Sequence, residues 1–190
     1  MVTLNKIYTR TGDSGQTGIG DGTRVSKLDA RIVAGGSVDE TNCCIGVAAA
    51  QCTDASLKSL LLTLQQRLFD LGADLTSPWR PDDADDRCPR MTLQHIEWLE
   101  QQIDRFNERL SALKSFVLPG GQPCAASLHL ARSVCRRAEL DTLRLQNGTS
   151  LNPQIVVFLN RLSDLLFVLA RDANDHGAMD VLWEPSRRRP

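Results

Sequence analysis

The sequence has no run of ~18 apolar residues, so no segment reads as a membrane span. It also has no excess of one charge: 22 Lys and Arg stand against 23 Asp and Glu, for a net charge of −1. A protein that grips nucleic acid or an anionic membrane needs a basic face, so neither partner is expected. None of the six cysteines forms a C-x-x-C, which removes zinc-ribbon and thioredoxin-type motifs. Residues 1–15 contain no apolar signal core and no cleavage site, so a cytoplasmic location is expected. There is no internal repeat. The 190 residues are 42% hydrophobic and 24% charged, as in an ordinary globular protein, and are enough for one domain with a substantial core.

Residues 1–28 differ from the rest. Thr9 to Gly22 reads TRTGDSGQTGIGDG, with five glycines and three threonines in fourteen residues. It shows neither helical period nor strand alternation, which predicts a loop, or paired extended pieces joined by turns. From Asp29 the character is helical. Helices are expected over Arg31–Cys52, Ser56–Leu75, Thr92 to about Leu110, Cys124–Gln146, and from Pro153 to about His176. Leu57, Leu60, Leu61, Leu64, Leu68, Leu71 and Leu75 mark the buried face of the second, and Ile96, Leu99, Ile103 and Phe106 that of the third. Cys43, Cys44, Cys124 and Cys135 read as small buried core residues. Ser77–Pro89 reads as a surface loop, FVLPGGQP at 116–123 as a turn, and residues 177–190 as a tail. The expected fold is all-α: a five-helix bundle (29–176) behind an N-terminal Gly/Thr-rich loop.

Three polar stripes carry the candidate chemistry. His129, Arg132, Arg136 and Glu139 fall at helical offsets 0, 3, 7 and 10, within about 80° of one face and beside the apolar seam. Asn160, Asp164, Phe167 and Arg171 share a stripe on the fifth helix, and Asp39, Asn42 and Gly46 one on the first. From spacing alone such stripes read first as solvated faces; mid-helix Asn42 and Asn160 and the chance of three stripes converging favour walls of one cleft, which is how bundles build sites. The N-terminal loop matches neither the Walker P-loop nor the dinucleotide fingerprint. Its chemistry nevertheless suits phosphate: glycines let backbone N–H groups approach an anion, Thr9, Thr11 and Thr17 add hydroxyls, Arg10 and Lys27 add positive charge, and Asp13 is placed to orient the loop or meet a divalent cation. No Ser-His-Asp or Cys-His set is evident.

Five motifs then occur in order: YTRTGDSGQTGIGDGTRVSK, GGSVDETN, FVLPGG, LHLARSVCRRAE and LNRLSDLLFVLAR. Together they resemble the PduO-type ATP:cob(I)alamin adenosyltransferases, over about residues 5 to 175. The resemblance implies a homotrimer of five-helix bundles with active sites between subunits. It implies ATP and cob(I)alamin as substrates, magnesium accompanying the ATP, and adenosylcobalamin and triphosphate as products. A cob(II)alamin reductase and an adenosylcobalamin-dependent mutase are the implied partners. It makes Thr9, Arg10, Thr11, Gly12, Asp13, Gly15, Thr17 and Gly18 an ATP-binding loop, with Lys27 on the phosphates. It puts Arg136 on the triphosphate, and makes Glu139 and Asn160 nucleotide and magnesium contacts, with Glu139 as the metal-side carboxylate. Arg132 is implied to pair across the interface with Asp39. Phe116 is implied to displace the lower axial ligand of the corrinoid, and Phe167 to line its pocket. The departures are Ser14 where many members carry Lys, Thr41 for Leu, and Cys43-Cys44 for Ser-Ala. A non-catalytic ATP sensor or corrinoid carrier of the same fold is the alternative.

Overall fold

Helix-forming sequence starts at Asp29, whose carboxylate accepts from the Arg31 N–H at 2.9 Å and caps α1 (Ala30–Gln51). The structure, a computed structural model, describes residues 7–79 and 88–186. Four more helices follow: α2 (Ala55–Thr76), α3 (Leu93–Asn107), α4 (Pro123–Gln146) and α5 (Gln154–Ala173). Before them, β1 (Gln16–Gly18) and β2 (Arg24–Ser26) form a short antiparallel hairpin with Thr17 opposite Val25. The expected paired extended pieces are therefore present. No described helix is long and apolar enough to cross a membrane.

Packing follows the apolar pattern. α1 lies between α2 and α4, α4 packs on α5, and α3 covers α5 from the other side. α5 buries Ile155, Phe158, Leu159, Leu162, Leu165, Leu166 and Leu169. A helix apolar over most of its circumference belongs inside, and α5 also meets α2. The α2 leucines are buried as the spacing predicts, with Leu60 at the edge. Asp54 caps α2 by accepting from the N–H groups of Ser56 and Leu57. At the other end of α2, buried Asp74 accepts from Arg90, the Met91 N–H and Asn152, which ties together the entries to α3 and α5.

Several expectations need correction. α3 ends at Asn107, three residues early, and passes into hydrogen-bonded turns through Leu110. α5 begins after Pro153 and stops at Ala173, because Asp175 and His176 take φ of 54° and 51°. Cys43 is exposed and Cys44 only half-buried, whereas Cys124 and Cys135 are buried. The core face of α1 is set by Ala34, Val38, Thr41, Ile45 and Ala48, and Cys43 points about 200° away from Thr41 and Ile45. The chain from 177 to 185 is no loose tail. Leu118 N–H donates to the Val181 carbonyl at 2.8 Å, Trp183 N–H to the Phe116 carbonyl at 2.7 Å, and Ser115 Oγ to the Trp183 carbonyl at 2.7 Å. Residues 80–87 of the expected loop and 187–190 of the expected tail lie outside the described residues.

Candidate functional site

The α4 stripe divides by depth. His129 is buried, Arg132 and Glu139 are half-buried, and Arg136 is exposed. Arg132 and Arg136 stand one turn apart, and neither forms an ion pair with a described residue. Burial, then the Arg136 charge, pulls the Arg132 guanidinium below its ordinary value. Arg132 Nε is buried with no hydrogen-bond partner among the described residues. Two cations left unneutralised on one face attract a polyanion. The next arginine differs: Arg137 pairs with Glu40 of α1.

Glu139 is held, not free. Asn160 of α5 donates to its Oε1 at 3.0 Å, and Arg161 donates to Asn160 Oδ1 at 2.8 Å. This accounts for an asparagine in mid-helix. The other half of that stripe separates. Phe167 meets the His129 ring edge-on at 6.0 Å, Asp164 is exposed, and Arg171 is buried in a pair with Asp180.

A cleft of about 1080 Å³ opens beside α4. Phe116 and Trp183 form one wall, their rings edge-on at 6.2 Å. Phe167 and Arg132 also line the cleft. Phe116 is 79% exposed, unusual for an aromatic on a short turn, and presents its ring to this space. Arg132 belongs to both the cationic stripe and the apolar cleft. The two features are therefore one continuous site, with an anion-attracting end and a broad apolar end.

The N-terminal loop is curled and braced. Gly15 N–H donates to the Gly12 carbonyl at 3.1 Å, and Gly15 takes φ of 80°, the conformation glycine accepts without strain. Arg24 Nη2 donates to the carbonyls of Thr11 at 2.6 Å and Gln16 at 3.2 Å. Thr9 and Thr11 hydroxyls meet at 2.9 Å. Lys27 N–H donates to the Gly15 carbonyl at 2.8 Å, and its ammonium lies so close to Gly12 that a Cβ there would come within 3.1 Å. Thr11, Gly12, Gly15 and Lys27 thus share one small surface. Arg10 has φ of 60° and stacks on Tyr8 at 5.4 Å. Thr17 and Gly18 are in β1 and Asp13 is in the turn.

Not every candidate converges. Neither strand of the hairpin contacts a helix, although the turn between them meets the end of α2, where the Gly20 N–H donates to the Thr76 carbonyl at 3.3 Å. Asp39 is exposed on α1 and does not meet Arg132 of the same chain. The first-helix stripe is corrected: Asn42 exchanges hydrogen bonds at 3.2 Å with Gln65 of α2, and Gly46 also faces Gln65. These two residues clamp helices and are not part of the cleft. Reasoning from sequence missed Trp183 and Leu182 as cleft walls and Arg24 as the loop's brace. The signal available was the apolar VLW run after α5.

Comparison with known proteins bears on this geometry. The family model described as cobalamin adenosyltransferase matches residues 7–173. The corrinoid adenosyltransferase of Mycobacterium leprae is 46% identical, over 96% of this chain and 97% of its own. That of Bacillus subtilis is 39% identical, over 95% and 93%. A phenylalanine-to-alanine variant of the PduO-type ATP:corrinoid adenosyltransferase from Lactobacillus reuteri has been solved in complex with cobalamin and ATP. It superimposes with a TM-score of 0.87 at 37% identity, covering 95% of this chain and 100% of that one. The chain belongs to the cobalamin adenosyltransferase family.

Proposed function

We propose that the protein transfers the 5′-deoxyadenosyl group of ATP to the cobalt of cob(I)alamin. The observation that carries this reading is the continuity through Arg132 of the unneutralised arginine face with the Phe116–Phe167 cleft. One end suits a triphosphate and the other a corrin ring. The electron pair of cobalt(I) attacks C5′, the Co–C bond forms, and the C5′–O bond breaks. Triphosphate leaves with that electron pair, and cobalt becomes formally cobalt(III). Cob(I)alamin is a strong nucleophile and needs no activating base.

The work of these residues is alignment and charge. Holding C5′ over cobalt supplies up to roughly 7–11 kcal/mol of barrier lowering. Arg136, with Lys27 and the loop N–H groups that the turn and hairpin leave unused, receives the leaving triphosphate. Glu139, oriented by Asn160, leaves one carboxylate oxygen without a partner among the described residues. That suits a magnesium ion, which typically takes one or two carboxylates and otherwise phosphates and water. The charge neutralisation such an ion supplies falls on the triphosphate. Phe116, offered to the cleft, covers the lower face of the corrin. It thereby favours a four-coordinate cobalt(II) that accepts an electron more easily, a case of protein tuning its cofactor's electronics.

We further infer a homotrimer with each site shared between neighbours. The lack of contact between the hairpin strands and α4 within one chain, the exposed Asp39 and the orphaned Arg132 Nε support it. In that reading Asp39 of one subunit pairs with Arg132 of the next. A cytoplasmic setting, a cob(II)alamin reductase upstream and an adenosylcobalamin-dependent mutase downstream complete the proposal. Phosphorus NMR of an anaerobic mixture with ATP and cob(I)alamin tests it. Triphosphate should accumulate one for one with corrinoid consumed. ATP binding without triphosphate would point to a sensor or carrier instead.

A further inference from the structure

The loop that carries Phe116 is tied at both ends by one buried polar cluster, formed where α5 stops. Beyond Ala173 the chain reverses through Asp175, His176 and Gly177, all with positive φ (54°, 51° and 86°). Two successive non-glycine residues in that region are strained and persist only where their surroundings over-determine them. Here the surroundings are Arg171, Asn174 and Asp180. Arg171 Nε pairs with Asp180 Oδ2 at 2.8 Å, the two side chains 6% and 3% exposed. Arg171 Nη2 also donates to the Ser111 carbonyl at 3.0 Å.

Asn174 is 1% exposed and uses its whole amide. Its Oδ1 accepts from the Gln122 N–H at 2.9 Å, and its Nδ2 donates to the Gly120 carbonyl at 3.2 Å and to Asp180 Oδ1 at 3.1 Å. The turn sits so tightly on this amide that a Cβ at Gly121 (φ 98°) would come within 2.1 Å of Asn174 Oδ1. Ser111 and Gly120–Gln122 bracket the loop whose middle is Phe116. Asp180 roots the segment whose Trp183 backs Phe116. None of Arg171, Asn174 and Asp180 lines the Phe116 cleft.

We propose that Asn174, with the Arg171–Asp180 pair, is a positioning residue for the reaction. It fixes the station of Phe116 and Trp183 over the corrin without touching the corrinoid. The inference rests on the corrinoid role proposed for Phe116.

The test uses Asn174→Ala and two readouts. In the protein without substrates, hydrogen exchange at the Leu118 and Trp183 amides should rise at least tenfold, with the Val134 amide in α4 unchanged. With ATP and cob(II)alamin, the four-coordinate signal should fall at least fivefold while ATP affinity moves less than twofold. Unchanged exchange, or faster exchange with an undiminished four-coordinate signal, overturns the proposal. If Asn174→Ala also deprotects Val134, Asp180→Asn decides by the same readouts, since at unchanged side-chain size it removes the charge opposite Arg171 and one of the two oxygens that accept from Arg171 and Asn174. A wild-type protein that gives no four-coordinate signal would refute the functional reading, and the exchange result would then judge the clamp alone.

Discussion

Phe116 is exposed, yet its carbonyl accepts from the Trp183 N–H. A side chain so presented is there to be used. Phe116→Ala should keep ATP affinity within twofold and abolish most four-coordinate cob(II)alamin, read by its visible and magnetic circular dichroism spectra. Arg136→Ala should weaken ATP binding at least tenfold by calorimetry while the thermal midpoint holds, since Arg136 forms no ion pair with a described residue. His129 provides a pH test. Burial first, then the Arg132 charge, lowers its pKa below the ordinary 6.5, and Asp180 only partly opposes this. The unfolded chain therefore binds the proton first as pH falls, so this contribution is present above pH 6.5 and is lost below it. His95 shifts in the same direction, from burial and Arg67. The thermal midpoint of the wild type should fall between pH 7.5 and 5.5, and His129→Phe should flatten that fall. An equal slope in the variant would contradict the assignment.

Among the elements, α2 was the most legible in sequence. Its leucine spacing is a local signal, and tertiary structure only had to accept it. Asp54→Ala should cost about 1 kcal/mol in chemical denaturation, the usual magnitude for a lost N-cap. The α1 stripe was misread because spacing gives a face but not what the face meets, and Gln65 of α2 lies 23 residues from Asn42. The end of α5 was misread for a related reason. Asp175 and His176 turn left-handed where Asp180 returns to Arg171, a contact that no local pattern encodes. Likewise Trp183 became a cleft wall through pairing with residues nearly seventy positions earlier, which no local pattern encodes. The motif residues of α4 and the Glu139–Asn160 pair were legible as candidates. That Arg132 joins stripe and cleft is set by how α4 packs beside the Phe116 loop, which no local pattern encodes.

At the scale of the whole molecule, the proposed site has two parts, the N-terminal loop and the α4 stripe, and neither strand of the loop's hairpin contacts α4. If neighbours complete it, chains with a disabled loop (Lys27→Ala with Gly12→Val) and chains with Arg136→Ala should be inactive separately. Co-assembled, they should regain activity, because some interfaces then pair an intact loop with an intact arginine. No regain in verified mixed oligomers would mean that loop and stripe act within one subunit. The Asp39–Arg132 pairing belongs to the same scale. Asp39→Ala should cost roughly 1–3 kcal/mol of assembly or site stability by leaving a half-buried guanidinium unpaired. The measurement closest to the central claim is anaerobic. The wild-type protein is mixed with chemically reduced cob(I)alamin, ATP and magnesium, and the visible spectrum is followed. The account predicts loss of the cob(I)alamin bands and growth of a light-sensitive alkylcobalamin, dependent on both protein and ATP. Persistence of cob(I)alamin while ATP is bound would contradict it.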